Sequence, residues 1–489
     1  MSHPPGGPAM APPPSAPPGV PAGGVGSALA APPGGGATAG RSGPPARTPA
    51  SPAAPARRTP AAPAGARASS SPFAEWVRQT FAGTPGRMRL LGGLGAVTAA
   101  LFGLVGAMSL WANAGAVERA GANTAQVVRV QSIYSDVLRA DADATNAFLV
   151  GGLEDSAQRA DYEASMVRVA QTIAEAAKAQ PADGTALAGL NAQVQAYAGS
   201  IEQARAYNRQ GLPIGAQYLK TASTTLRTKA LPLLEAMTKA NTERAQEEFA
   251  AAGRGWPLIA AGIVGLLVLG AVGYWLARRT HRYLNIPVTA GAAIVLIALV
   301  AGAIVVAGLS GDLGKVRDNQ FAGTLALTTA RSAAYDARSN ESLGLIAQGQ
   351  AKPYEDAWKA RDTQVGAALT ALARTSWYGG AGASAAALGQ QWTAYQNAHA
   401  TVRGLDDGGD WAGAVGLATG ADPAGPRTTF GTVDAAMAKA LEGYQNATAS
   451  DTTAPRGRAV VASLAMLLAG LVSALLVTRG IRQRVGEYR

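Results

Sequence analysis

Four uncharged, strongly apolar stretches, at 90–112, 256–277, 288–309 and 459–477, interrupt an otherwise mixed sequence. Each is close to the roughly 20 residues that an α-helix needs to cross the hydrocarbon core of a bilayer. Polar segments of about 145 residues lie between the first and second stretches (113–255) and between the third and fourth (310–458). Only 278–287 separates the second stretch from the third. The pattern predicts an all-α integral membrane protein in the order span, domain, span, tight turn, span, domain, span.

Within both polar segments the apolar spacing is helical. Val127, Val130, Ile133, Tyr134 and Val137 fall at steps of three and four, which places them on one helix face. Glycine and proline punctuate the pattern. The first segment is predicted to hold a helix to Val150, a second from about Glu154 to Ala179, a turn at Pro181–Gly184, and a third helix to Arg209. A fourth opens at Gly211-Leu-Pro213 and continues towards Trp256. The second segment shows breaks near 349–353, 379–382, 406–410 and 421–426. Four antiparallel helices that bury their apolar stripes make an up-down bundle. Two tandem four-helix bundles are therefore expected, with the first and fourth helix of each running straight into a span.

The halves also repeat in sequence. Asn146-Ala-Phe-Leu149 aligns with Asn340-Glu-Ser-Leu343, Tyr162-Glu163 with Tyr354-Glu355, and Ala236-Met237 with Ala436-Met437, at offsets that drift only where loops are expected. Duplication of one span–bundle–span unit is the simplest account.

Charge then sets a direction. Residues 1–89 carry eight arginines against Glu75, the turn 278–287 carries Arg278, Arg279 and Arg282, and 478–489 carries four arginines against Glu487. Each polar segment, by contrast, has one more acid than base. The positive-inside bias places both termini and the turn in the cytoplasm and both polar segments outside a plasma membrane. It also accounts for the net charge of +11 by arginines beside spans, which suit anionic headgroups. Nucleic-acid binding is not expected, because no basic helix carries interleaved aromatics. Residues 1–72, rich in Pro, Gly and Ala, have too few large apolar residues to fold and read as a disordered cytoplasmic tail. Residues 73–89, with Phe73, Trp76, Val77 and Phe81, read as an interfacial amphipathic helix.

The chemistry is sparse. No cysteine is present, and the three histidines, His3, His281 and His399, are far apart in sequence. His399 is expected to face solvent or cap a helix. No metal spacing, phosphate loop or kinase signature occurs, so no cofactor, no metal and no enzymatic activity are expected. The apolar stretches carry no charge, which speaks against an ion or solute path. They do carry Ala99-x-x-x-Gly103, Ala261-x-x-x-Gly265 and Gly470-x-x-x-Ala474, spacings that let helices approach closely.

Polar residues cluster at the end of each segment's first helix. Asp143 and Asn146 in the first segment, and Asp336, Asn340 and Glu341 in the second, lie just before a glycine break. Asparagine is a poor helix former, so these positions need a specific contact. That contact is either a ligand or partner at the membrane-distal tip, or hydrogen bonding between helices. Trp358, Trp377, Trp392 and Trp411, all in the second segment, read as core anchors.

The tandem layout over about 88–489 resembles the actinobacterial GlnX-like four-span membrane signalling proteins. So do Asp-Ala-Asp-Ala-Thr-Asn-Ala-Phe-Leu-Val-Gly-Gly at 141–152 and Ser-Asn-Glu-Ser-Leu-Gly-Leu-Ile-Ala at 339–347. Each polar segment is also similar to four-helix-bundle chemoreceptor sensor domains. The resemblance implies a relay from an extracytoplasmic amino-acid-binding lipoprotein to a soluble cytoplasmic Ser/Thr protein kinase. It supplies no catalytic residue. Arg278, Arg279 and Arg282 are then the candidate contacts for the cytoplasmic partner. A direct small-molecule sensor and a structural envelope scaffold are the alternative readings, and a homodimer is compatible with each.

Overall fold

A computed structural model describes residues 83–150, 154, 156–280, 285–376 and 384–486. Among them all regular structure is helical, with no strand. Residues 1–72 and most of the expected interfacial helix (73–82) lie outside the described residues, as does Trp377. The described part of that helix, 83–89, joins span 1 without a break.

The first half begins with α1 (Gly83–Val150), a single helix of 68 residues that carries span 1 into the first polar segment. It is followed by α2 (Ser156–Ala179), a 3-10 turn (Pro181–Asp183), α3 (Gly184–Arg209), α4 (Ile214–Thr225), a π-helical turn (Leu226–Ala230), α5 (Leu231–Ala252) and α6 (Trp256–Thr280). The second half consists of α7 (Ile286–Lys315), a second π-helical turn (Val316–Phe321), α8 (Ala322–Ile346), α9 (Lys352–Leu372), α10 (Ala385–Asp407), α11 (Trp411–Thr419) and α12 (Pro426–Gly486). Gly349 and Gly409, in the turns before α9 and α11, adopt φ of +79° and +87°, a region that glycine enters without steric cost.

Three of the four expected helix-to-span continuities are present: α1, α7 through its π-turn into α8, and α12. The fourth is not. The fourth helix of the first segment stops at Ala252, and Gly253-Arg254-Gly255 separates it from α6. The reason is the close approach of α7. A Cβ on Gly253 would stand 3.0 Å from Ser310 Oγ, and one on Gly255 would stand 2.9 Å from Val306 Cγ1. The glycines that admit this contact also end the helix.

α1, α6, α7 and α12 are long and apolar enough to cross a membrane. They pack around Phe102, Leu258, Val295, Met466 and Val477. α1 meets α12 backbone to backbone, since a Cβ built on Gly103 would lie 2.7 Å from Gly470 Cα. The small-residue spacings at 99–103 and 470–474 therefore meet each other, as close packing in lipid requires. Above the spans, Val117, Phe249, Leu313 and Phe321 form a smaller apolar layer.

The two polar segments share one core. α1 packs on α2 and α5 within its own segment and also along α8 of the other. One apolar cluster includes Ile133, Leu138, Tyr197 and Leu234 together with Leu327, Trp358, Tyr395 and Met437. α8 lies at the centre of this shared core, and nearly every residue from Ala326 to Leu345 is buried. The hydrophobic driving force thus holds the segments to each other as well as within themselves.

Candidate functional site

The α1–α8 seam carries charge at its centre. Asp141 on α1 is fully buried and Asp336 on α8 is 3% exposed. Buried carboxylates are retained only where cations and donors compensate for lost water. Arg227 supplies both: its Nη1 lies 3.1 Å from Asp141 Oδ2 and its Nη2 lies 2.6 Å from Asp336 Oδ1. Ser223 Oγ and Ser339 Oγ each donate to Asp141 at 2.6 Å, and Tyr197 OH donates at 3.3 Å. Arg361 Nε completes the far side, 2.7 Å from Asp336 Oδ2. Burial alone would lower the Arg227 pKa, but Asp336 and Asp141 hold it above its ordinary value.

The π-turn delivers Arg227 to this position. Pro232, at the second residue of α5, has no N–H to give the carbonyl four residues earlier, and its ring crowds that carbonyl. The helix widens over Leu226–Ala230, which re-aims the side chain at 227. The network therefore draws on α1, α3, α4 and its π-turn from the first segment, and on α8 and α9 from the second.

Four of the five sequence-singled residues lie in or beside the seam with polar atoms engaged by protein. Asp336 belongs to the network. Asn340 Nδ2 donates to the Asp336 carbonyl at 2.7 Å, and Asn146 Oδ1 accepts from Arg338 Nη2 at 3.2 Å across the seam. Glu341 pairs with Arg338 and accepts from Tyr395 OH at 3.4 Å. Asp336, Asn340 and Glu341 are at most 5% exposed, so they do not form a surface that a docking partner would meet.

Asp143 is different. It is half-buried, its Oδ2 has no hydrogen-bond partner, and the nearest cation is Arg139 Nε at 4.0 Å. Burial, with Asp161 and Asp434 nearby, pushes its carboxyl up to about 7 against the pull of Arg139.

His399 corrects its expectation. It is 3% exposed, lies flat on Trp358 with ring centroids 3.8 Å apart, and bridges two carboxylates. Nδ1 lies 2.7 Å from Glu341 Oε2 and Nε2 lies 3.1 Å from Glu355 Oε2. Burial works against its charge, yet the two carboxylates raise its pKa above the ordinary value. The hydrogen bond from His399 is the largest cause that brings Glu355 down to about 2. Sequence spacing hid this triad because its members come from α8, α9 and α10.

At the opposite end, the Arg278 guanidinium lies over the Tyr274 ring, 5.0 Å from its centroid. Arg279 continues α6, and Arg282 lies outside the described residues. Asn285 Nδ2 donates to the Gly480 carbonyl at 3.2 Å, tying the start of α7 to the end of α12. Among the described residues no cluster of His, Asp and Glu has the arrangement of a metal site.

Residues 116–250 match the family model described as actinobacterial sensor domain. The matched stretch includes Asp141, Asp143, Asn146 and Arg227 but nothing of the second segment. Comparison with curated proteins and with solved structures returns no match. Residues 116–250 are thus similar to the actinobacterial sensor domain, a likeness that suggests a sensing or signalling role. With four helices of membrane-crossing length and apolarity, the chain fits a multi-pass membrane protein.

Proposed function

We propose that this chain is a transmembrane signal transducer that relays extracytoplasmic amino-acid availability to the cytoplasm. In this reading a solute-binding lipoprotein docks outside and a soluble Ser/Thr protein kinase receives the signal inside. The observation that carries the relay is the path of α1, which runs unbroken for 68 residues from span 1 to the buried seam and on to Val150. A change in how the sensor-type segment packs around Asp141 acts on a helix that is also a span. The resemblance at 141–152 and 339–347 supports the identity of the two partners. The arginine distribution supports an orientation with both termini and the turn in the cytoplasm of the plasma membrane. The parallel order of helices in the two halves supports an origin by duplication.

A partner shifts such a system only by its difference in affinity for two packings, and a hundredfold shift takes about 2.7 kcal/mol. A network with one arginine shared between two buried carboxylates of different segments has interactions of that scale to redistribute. Crosslinking in intact membranes followed by purification tests the outer partner. Recovery of a solute-binding lipoprotein is expected, and its absence under conditions that retain known envelope complexes refutes the lipoprotein step. Replacement of Arg278, Arg279 and Arg282 by Gln, with membrane insertion intact, is expected to abolish the cellular response. An unchanged response removes the turn from the pathway.

A further inference from the structure

We propose that the first segment contains its own binding site for a small organic carboxylate, in a cavity at the end farthest from the spans. The proposal rests on reading 116–250 as a sensing segment, and it names a ligand class that this reading leaves open. The cavity measures about 220 Å³, is open to solvent on one side and is lined by the end of α1, the start of α2, the end of α3 and α4. At ~30 Å³ per water it holds about seven waters, the volume of a small metabolite.

Its walls are divided by chemistry. Phe148, Ile201 and Leu219 offer apolar surface to a carbon skeleton, while Arg159, Arg205, Arg209 and Glu154 line the polar side. Arg205 is only 8% exposed and is held rigid: Nη2 lies 3.0 Å from Glu154 Oε1, Nη1 lies 2.8 Å from Glu202 Oε1, and the guanidinium stacks 4.1 Å over the Tyr162 ring. Both Nη groups are thus committed to protein carboxylates, and Arg205 forms a fixed polar wall beside the exposed Arg209. Arg209 is exposed at the mouth and has no hydrogen bond or ion pair among the described residues. Arg159 is paired with Glu163 through Nε at 2.6 Å and with Glu202 through Nη2 at 3.3 Å, and reaches Glu154 Oε2 at 3.9 Å. Glu154, Glu163 and Glu202 already pair with Arg205 and Arg159, so Arg209 is the cation left to favour a negative guest, and the apolar wall favours carbon over an inorganic oxyanion. Glu154 disfavours a guest of high charge.

The cavity also touches the seam. Ala144 in its wall lies three residues beyond Asp141 on α1, and Leu219 lies four residues before Ser223, which donates to Asp141. Residues at these spacings share a helix face, so a guest that presses on Ala144 and Leu219 presses on two members of the network.

The test uses the full chain in lipid nanodiscs, with acetate, succinate, glycine, ethanolamine and inorganic phosphate as probes in calorimetry and thermal melting. Saturable binding of a carboxylate with a rise in melting temperature, and none by ethanolamine or phosphate, is the expected result. Ala147→Leu fills the cavity and should abolish binding. Arg209→Gln, at an exposed position that folding does not need, should weaken it by about tenfold. No saturable binding by any carboxylate, equal binding of phosphate, or unchanged affinity in Arg209→Gln overturns the proposal. The relay stands or falls separately, because it is judged by partner capture and cellular response and not by what the purified chain binds.

Discussion

Removing Arg227 isolates the energetics of the seam. Arg227→Met keeps length and apolar contact but leaves Asp141, fully buried, with three neutral donors and no cation. Asp336 keeps Arg361 at 2.7 Å. Taking one partner from a buried pair costs about 3–5 kcal/mol, chiefly through the stranded charge. For a unit of this size that is a fall in melting temperature on the order of 5–10 °C. The decisive comparison is a double-mutant cycle. Asp141→Asn removes the stranded charge, so Arg227→Met with Asp141→Asn should recover about 2 kcal/mol or more relative to additivity. Arg227→Met with Asp336→Asn should recover less, because Asp336 still has a cation to meet in the single variant. Thermal and denaturant unfolding of the full chain in one detergent measures the wild type and all five variants. Additivity within about 0.5 kcal/mol in the Asp141 cycle, or equal coupling in the two cycles, would refute the assignment of Asp141 as the carboxylate that depends on Arg227.

Three further outcomes follow from the same geometry. The chain has no cysteine, so Ser135→Cys with Ser332→Cys gives a single pair where the two hydroxyls now lie 3.1 Å apart; mild oxidation should crosslink it in native membranes, and free thiols would contradict the α1–α8 seam. Gly103→Leu should separate spans 1 and 4 and reduce the folded yield, since its Cβ alone would stand 2.7 Å from Gly470 Cα, whereas Gly93→Leu, whose Cβ meets nothing within 4 Å, should be tolerated; equal yields would count against the contact. Asp143, raised to about 7 in the folded chain against roughly 3.9 when unfolded, keeps its proton longer folded than unfolded, so its contribution is favourable at low pH and is lost as pH rises from about 4 through about 7. The limit is about 4 kcal/mol, reduced because 28% of its side chain is open to water. Asp143→Asn should remove that part of the pH dependence of melting, and parallel curves for variant and wild type would exclude it.

How far the sequence reached depends on the range of each signal. Spans and helix boundaries come from local periodicity, and Gly184, Arg209 and Lys352 lie at or within a residue or two of expected breaks. The break at Gly253–Gly255 was less legible because its cause lies on α7, at Val306 and Ser310. Asp336 and Asn340 could be singled out as polar residues that a helix interior does not favour. Arg227 could not, since arginine is an ordinary helix former and only Pro232, five residues on, hints at the π-turn that places it. The burial of His399 is hidden for the same reason: its partners Glu341 and Glu355 lie 58 and 44 residues away.

The placement of charge decides what kind of device the seam can be. A seam of leucine and alanine alone would hold the segments together, but apolar contact is non-directional and tolerates small slides. Hydrogen-bonded ion pairs are directional, and a displaced one leaves a carboxylate without compensation. Arg227 therefore ties the register of α1 against α8 to the packing of α4 and its π-turn, both within the sensor-type stretch 116–250. α1 and α8 in turn continue into spans 1 and 3. Any state of the sensor segment that moves Arg227 leaves Asp141 without its cation, whereas Asp336 keeps Arg361 of its own segment. Under the proposed relay, a change at Arg227 therefore acts on two helices that continue into spans.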